Sequence, residues 1–311
     1  MELIRGLKGL KPRHRGTVAS IGNFDGVHLG HRAVLRELGL KAREFGMPAT
    51  AVVFEPMPQE YFGPQRAPAR LTRFGEKWPL LAAAGVERVL CLRFGRELAQ
   101  MAPETFIEEI LVQGLGVKHL AVGDDFRFGR ERRGDFAMLQ MAGLVQGFKV
   151  ADTASLVLEG SRVSSSRIRA LLIEGDMQGA ARLLGRPYSL SGRVMYGEQL
   201  GRKLGFPTAN MALLRHLAPV GGIFAARVHG FGDGPKDATA YVGHRPVVDG
   251  TQTLLETHVF DFSGDLYGRK LKVELLQRLR EDRHFDSLDA LTAQMQKDVR
   301  AARTWLADHT T

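Results

Sequence analysis

His28 and His31, close together in the run Ser20-Ile21-Gly22-Asn23-Phe24-Asp25-Gly26-Val27-His28-Leu29-Gly30-His31, are the side chains whose spacing says most about chemistry. Thr17 to Ile21 reads as a buried strand, Asn23 to Gly30 is rich in turn formers, and His31 to Glu44 repeats Val34, Leu35 and Leu38 on one helical face. The pair therefore flanks a helix N-terminus, where unpaired N–H groups and the positive end of the dipole attract anions. Imidazoles at i and i+3 can both point at one bound phosphate. Two plainer readings stand beside this one: metal ligation, for which no third ligand follows at zinc-like spacing, and ordinary surface histidines.

Four further segments suit the same chemistry. In Phe54-Glu55-Pro56-Met57-Pro58-Gln59-Glu60-Tyr61-Phe62, Pro56 and Pro58 hold the chain extended while Phe54 and Phe62 offer ring faces. Gly123-Asp124-Asp125-Phe126-Arg127-Phe128-Gly129 combines permissive glycines, the rings of Phe126 and Phe128, the polar Asp125 and an arginine, a set that fits a flat heteroaromatic carrying a phosphate. Arg162-Val163-Ser164-Ser165-Ser166-Arg167-Ile168-Arg169 opens a helix. A plain N-cap explains one serine; three serines with two arginines fit a phosphate site. The fourth, Arg70-Leu71-Thr72 with Glu76-Lys77, is less telling, with a plain helix start as its alternative reading.

Beyond residue 185, Gly192-Arg193-Val194 through Gly197, and then Leu200 to Asn210 with Lys203, make a glycine-punctuated basic stretch able to close over phosphates. It is not a Walker loop, and a plain barrel loop is the alternative reading. Glu256, in Leu255-Glu256-Thr257-His258-Val259-Phe260-Asp261-Phe262, is a strand carboxylate. At a ligand mouth it can accept a proton; on a solvated face it has no chemical role.

These segments need elements to hold them. Strand-like runs at Ala49–Phe54, Arg88–Phe94, His119–Gly123 and Phe148–Thr153 alternate with helix-like runs at Phe74–Ala84, Pro103–Leu111 and Asp135–Gln146. That alternation predicts βα units on a parallel sheet, with ligands beyond the carboxyl ends of the strands. A helix pair follows, Ser165–Ile173 and Met177–Leu184. After Gly185-Arg186-Pro187 come short alternating runs at Tyr188–Met195, Gly222–Val228, Ala238–Val242, Thr253–Phe260 and Lys270–Leu279, which predict a small antiparallel barrel. Ser287 to Ala307 reads as one closing amphipathic helix. The expected architecture is α/β followed by β, with domains at 1–184 and 185–311.

The 311-residue chain is long enough for two cores. A single cysteine, Cys91, excludes an internal disulfide framework and suits a reducing cytoplasm. No apolar run approaches bilayer-spanning length. The net charge of +9 is spread over both halves without a polybasic tail. The densest cluster, Arg127 to Arg133, interleaves arginines with aromatics and is read as a small-molecule site rather than a nucleic-acid surface. No nucleic-acid or membrane partner is expected, and self-association is compatible with the sequence without being specified by it.

Taken together, the motifs resemble a known family. His28-Leu29-Gly30-His31 looks like the His-x-Gly-His pattern with which the nucleotidyltransferase superfamily grips ATP phosphates. Gly-Asn-Phe-Asp-Gly-Val-His-x-Gly-His, Phe-Glu-Pro-x-Pro, Gly-x-Asp-Phe-x-Phe-Gly-x-x-Arg-x-Gly-Asp and Ser-Ser-Ser-Arg-Ile-Arg, in this order, resemble the bacterial bifunctional riboflavin kinase and FMN adenylyltransferase, or FAD synthetase, over nearly the whole chain. Pro207-Thr208-Ala209-Asn210 is similar to the riboflavin kinase signature.

The resemblance implies a Rossmann-like adenylyltransferase domain followed by a kinase barrel, with riboflavin, FMN and ATP as small-molecule partners. In the first domain it implies ATP contacts from Gly22, Asn23, Phe24, His28, His31, Arg162, Ser165 and Arg169, with Ser166 beside them, and flavin contacts from Phe54, Pro56, Pro58, Phe62, Asp125, Phe126 and Phe128. In the second it implies Gly192, Gly197 and Lys203 on ATP, Thr208 and Asn210 on Mg²⁺ and phosphate, and Glu256 as general base. Three positions depart from the pattern. Tyr241 and Val247 stand where Asn and Thr are common, and Met57 where histidine is frequent. A chain retaining one activity with the other domain reduced to flavin storage, or an RNA-binding protein, are the rival readings.

Overall fold

The computed structural model describes residues 1–196, 201, 204–213, 215, 217–247 and 250–309, without the side chains of 212, 244–247 and 250–252. Gly197 and Lys203 lie outside the described residues, and the side chain of Val247 is likewise not described. The chain divides into two compact units, one of Met1–Pro68 with Thr72–Val163, the other of Ala69–Leu71 with Ser164–Thr311.

The first unit is built on six parallel strands: β1 (Glu2–Arg5), β2 (Thr17–Ile21), β3 (Ala49–Glu55), β4 (Arg88–Arg93), β5 (Val117–Val122) and β6 (Lys149–Asp152). Their order is β1-β4-β3-β2-β5-β6. The chain runs outward from β2 through β3 and β4, then returns to the other side of β2 for β5 and β6. The topological switch therefore falls between β2 and β5, where open α/β sheets form their ligand crevice. All five residues of β2 are buried, as expected for a central parallel strand covered on both faces. β1 is an addition to the sequence reading: its four residues carry charges at both ends and only Ile4 is buried, so it has the signature of an edge rather than a core strand.

The covering helices are α1 (Leu29–Phe45), α2 (Pro58–Phe62), α3 (Phe74–Ala83), α4 (Arg96–Ala99), α5 (Pro103–Thr105), which continues as a π-helical segment over Phe106–Gly114, and α6 (Phe136–Gln146). A short hairpin, β7 (Val157–Leu158) and β8 (Ser161–Arg162), ends the unit.

In the second unit, α7 (Ser165–Glu174) and α8 (Met177–Leu184) precede strands β9 (Tyr188–Met195), β10 (Ala209–Ala212), β11 (Gly222–His229), β12 (Lys236–Val247), β13 (Gly250–Val259) and β14 (Lys270–Arg280). These close as a barrel in the order β10-β13-β12-β11-β14-β9, with every pair antiparallel. Ala240, Val242, Leu255, Val273 and Leu275 point into the core. The closing helix α9 (Leu288–Asp308) buries Ala302 and Leu306 against Ala225 and Phe260. Arg280 fixes it by donating to both carboxylate oxygens of Asp298, and Arg303 does the same to Asp261. α7 and α8 belong to this unit: Arg278 donates to the carbonyls of Ile173 and Glu174, which end α7.

Candidate active sites

In the first unit the loop from Gly22 to His28 leaves β2 at the switch point. Phe24 and Val27 both adopt left-handed backbone conformations (φ 44° and 40°), which for a non-glycine residue costs about 1–3 kcal/mol each. The surroundings hold them there. Asp25 Oδ1 accepts from the Thr72 backbone N–H at 2.9 Å and from its hydroxyl at 3.3 Å, and Thr72 Oγ1 accepts from the Gly26 N–H at 2.9 Å. Lys77, whose side chain is fully buried, donates to the Asn23 carbonyl at 2.6 Å.

His28 is the N-cap of α1, its Nδ1 accepting the His31 N–H at 3.3 Å. The helix thus starts at Leu29, one half-turn before the periodic run that announces it. With Nδ1 as acceptor, the proton of a neutral His28 sits on Nε2. The two imidazoles stack with centroids 3.6 Å apart and planes 18° from parallel, and the Phe24 ring meets His31 edge-on at 5.3 Å. Gly30 permits this: a Cβ there would lie 3.2 Å from the His28 ring and 3.4 Å from the Val163 carbonyl oxygen. His31 Nδ1 is buried without a hydrogen-bond partner. Burial holds the His31 pKa well below the usual histidine range, and the charges of His28, Lys77 and Arg162 push it the same way.

Beyond β3, Phe54 is buried and meets Phe94 edge-on, and the half-exposed Tyr61 and exposed Phe62 gather on the same ring at 5.6 and 5.7 Å. Pro56 follows a cis peptide bond and Pro58 opens α2. Met57 is buried and faces the core rather than a surface. Beyond β5, Phe126 and Phe128 stack at 5.6 Å; Phe128 is buried against Phe106, while Asp125 is exposed with Arg162 at 3.6 Å. Gly22, Asn23 and Phe24 line the loop itself.

In the second unit, Ser164 caps α7 by accepting the Arg167 N–H, leaving Ser165 and Ser166 in the first turn. Arg169 Nε donates to the Ala69 carbonyl at 2.6 Å.

The barrel carries its own constellation. The β10–β13 register sets Asn210 directly opposite Glu256, and both point outward while their neighbours Met211, Leu255 and Thr257 are buried. Two residues on, on the same face of β13, His258 Nδ1 lies 3.0 Å from the Pro207 carbonyl and its ring meets Phe206 edge-on. Gly201 closes this turn, its carbonyl accepting the Phe206 N–H at 2.7 Å; a Cβ there would lie 3.1 Å from Thr208 Oγ1. Gly192 is buried within β9, paired with Leu271.

Thr208 and Asn210 offer hard, neutral oxygens, the donor type that suits a Mg²⁺ arriving on nucleotide phosphates. Among the described residues no group of three or more His, Cys, Asp or Glu side chains gathers as a protein-only metal cage, and no helix is long and apolar enough to cross a membrane.

The structure adds the contacts of Thr72, Lys77 and His258, residues that the sequence reading quoted without assigning them a part. Lys77 carried a signal: it shares the buried face of α3 with Leu81, where a cation is out of place without a task.

A histidine-capped helix at the switch point of a parallel sheet, and an Asn–Glu row on a closed barrel, fit a two-part nucleotide-using transferase. Residues 10–167 match the FAD synthetase family model and 184–306 the riboflavin kinase model. The chain is 48% identical over 308 residues to the bifunctional riboflavin kinase/FMN adenylyltransferase of Pseudomonas fluorescens, covering 99% of this chain and 98% of that one. It is 46% identical over 304 residues to the protein of the same description from Escherichia coli K12, covering 97% of each. A crystal structure described as a macrolide-efflux protein from Streptococcus pneumoniae shares the fold with a TM-score of 0.81 at 28% identity, covering 98% of this chain and 100% of that one. The chain belongs to the family of bifunctional riboflavin kinase/FMN adenylyltransferases.

Proposed function

We propose that residues 185–311 phosphorylate riboflavin with ATP to give FMN and ADP, and that residues 1–184 then join FMN to AMP from a second ATP, giving FAD and pyrophosphate. What supports this reading is that one chain carries a histidine-capped helix at the switch point of its sheet and an Asn–Glu pair on its barrel, each within its own family match. The two reactions strike different phosphorus atoms. Each must present ATP in its own orientation, and a separate cradle for each supplies that by positioning.

In the kinase, Glu256 accepts the proton of the ribityl 5′-hydroxyl as that oxygen bonds to Pγ and the bond to ADP breaks. Asn210, opposite it, and Thr208 hold the phosphate side, and would carry Mg²⁺, which neutralises phosphate charge when bound. Gly192, Gly197 and Lys203 belong to the ATP-binding stretch by resemblance. In the adenylyltransferase, an FMN phosphate oxygen attacks Pα and pyrophosphate leaves. That nucleophile is already ionised, so catalysis is positioning and charge stabilisation. His28 donates from Nε2 toward phosphate, and an oxygen at the buried His31 Nδ1 would relieve an unsatisfied group worth about 1–3 kcal/mol. Ser165, Ser166 and Arg169, with Arg162, are assigned to the outgoing pyrophosphate; Phe54, Pro56, Pro58, Phe62, Asp125 and Phe126 are assigned to the flavin, with Phe128 backing Phe126. Cytoplasmic residence fits the single cysteine, whose thiol pKa is raised by burial and by Glu55.

The test is chromatography of flavin-stripped protein incubated with Mg-ATP and either riboflavin or FMN. FMN and then FAD are expected from the first tube and FAD from the second. Failure of either product removes the corresponding half of the reading.

A further inference from the structure

Glu256 has a cross-strand neighbour on each side. Asn210 faces it from β10, and Tyr241 faces it from β12 in the β12–β13 register. All three project outward, since Ala240 and Val242 beside Tyr241 are buried in the barrel. Two strand spacings separate Asn210 from Tyr241, about 10 Å, with the carboxylate between them.

In-line transfer constrains what lies on each side of that row. The base touches the attacking hydroxyl, and the donor phosphate lies on the side of the groups that hold it, here Asn210 and Thr208. The acceptor alcohol then comes from the opposite side, which is the side of Tyr241. We propose that Tyr241 is an acceptor-side specificity residue of the kinase, recognising the polyhydroxylated chain of the flavin rather than ATP; this rests on the kinase reading above.

The phenol is built to be a fixed contact. Its hydroxyl donates to Asp282 Oδ2 at 2.7 Å, leaving the oxygen lone pairs for an incoming hydroxyl donor. Asp282 is itself anchored on both flanks: Arg280 is locked on Asp298, and Arg283 donates to Gln294 while stacking on Phe285 at 4.8 Å. Gly243 provides the bed for the ring, because a Cβ there would lie 2.1 Å from the phenol oxygen. Burial, the Asp282 carboxylate and Glu256 all push the phenol pKa up, so it stays protonated and does not compete with Glu256 as a base.

The experiment measures steady-state riboflavin phosphorylation by wild type, Tyr241→Phe and Tyr241→Asn in the full chain, with FMN adenylylation by the same preparations as the control for the other active site and thermal unfolding as the control for folding. Loss of one hydrogen bond predicts a riboflavin KM about 5- to 10-fold higher in Tyr241→Phe, an ATP KM within about 2-fold of wild type, and unchanged adenylylation. Tyr241→Asn, which also loses the ring, should raise the riboflavin KM further. If Tyr241→Phe is poorly folded, Asp282→Asn weakens the same anchor and should shift the riboflavin KM in the same direction. A riboflavin KM that stays put in all variants, or an ATP KM that moves equally, overturns the proposal while leaving the kinase reading intact. A wild-type protein that makes no FMN overturns the kinase reading instead.

Discussion

Asn210 and Glu256 lie directly opposite one another on β10 and β13, both on the outer face of the barrel, so a side-chain amide and a carboxylate share one surface with no loop between them. Such a placement is as rigid as the ladder beneath it. Glu256→Gln keeps shape and hydrogen bonding but cannot take a proton. It should lower riboflavin phosphorylation by about 10²–10⁴-fold while FMN adenylylation by the same protein stays at the wild-type rate, as read by parallel product assays.

Gly30 offers a separation of stability from activity. It sits in the first turn of α1, where alanine is intrinsically better by about 1 kcal/mol. A methyl group there would press on the His28 ring and the Val163 carbonyl. Gly30→Ala should therefore leave the thermal midpoint within a few degrees of wild type yet reduce FAD formation from FMN by about 10-fold or more, because displaced imidazoles lose their alignment with phosphate.

The loop before the histidines depends on Thr72. Its hydroxyl serves both Gly26 and Asp25 in a buried setting. Thr72→Val removes the buried hydroxyl bonds to Gly26 and Asp25 at nearly constant volume, so denaturant unfolding should show a loss of about 1–3 kcal/mol. Adenylyl transfer should fall with it, whereas phosphorylation should not.

Burial and neighbouring cations depress the His31 pKa, so the folded protein resists a proton that the unfolded chain accepts near pH 6.5. The unfolded state then binds more protons, and stability rises with pH through this window. The contribution is complete above about pH 6.5 and is lost as pH falls below it. His119, also depressed mainly by burial, adds to the same trend. Thermal midpoints of His31→Asn, measured from pH 7.5 down to 5, should decline less steeply than those of wild type. Parallel slopes would remove His31 from the linkage.

Most of the architecture was legible because periodicity is a local property. The runs ending in Phe54 and Phe94, the helix pair from Ser165 to Leu184 and the closing helix from Ser287 all fall within a few residues of their predicted bounds. β10 was not legible: Ala209–Ala212 has no β-branched residue, and its strand geometry comes from pairing with β9 and β13. The histidine pair announced itself through its turn-rich flanks. Thr72 did not, because its role rests on hydrogen bonds to residues more than forty positions away, which no local pattern encodes. Phe128 illustrates the remaining gap: its motif is polar and glycine-rich, yet the ring is buried against Phe106 beneath Gly134.

The most direct test of two sites attacking different phosphorus atoms is label transfer. The full chain is incubated with riboflavin and ATP carrying radiolabel at either the α- or the γ-phosphate, and the flavins are separated. γ-label should enter FMN and persist into FAD, whereas α-label should be absent from FMN and present in FAD. α-label in FMN, or FAD without it, would contradict the account.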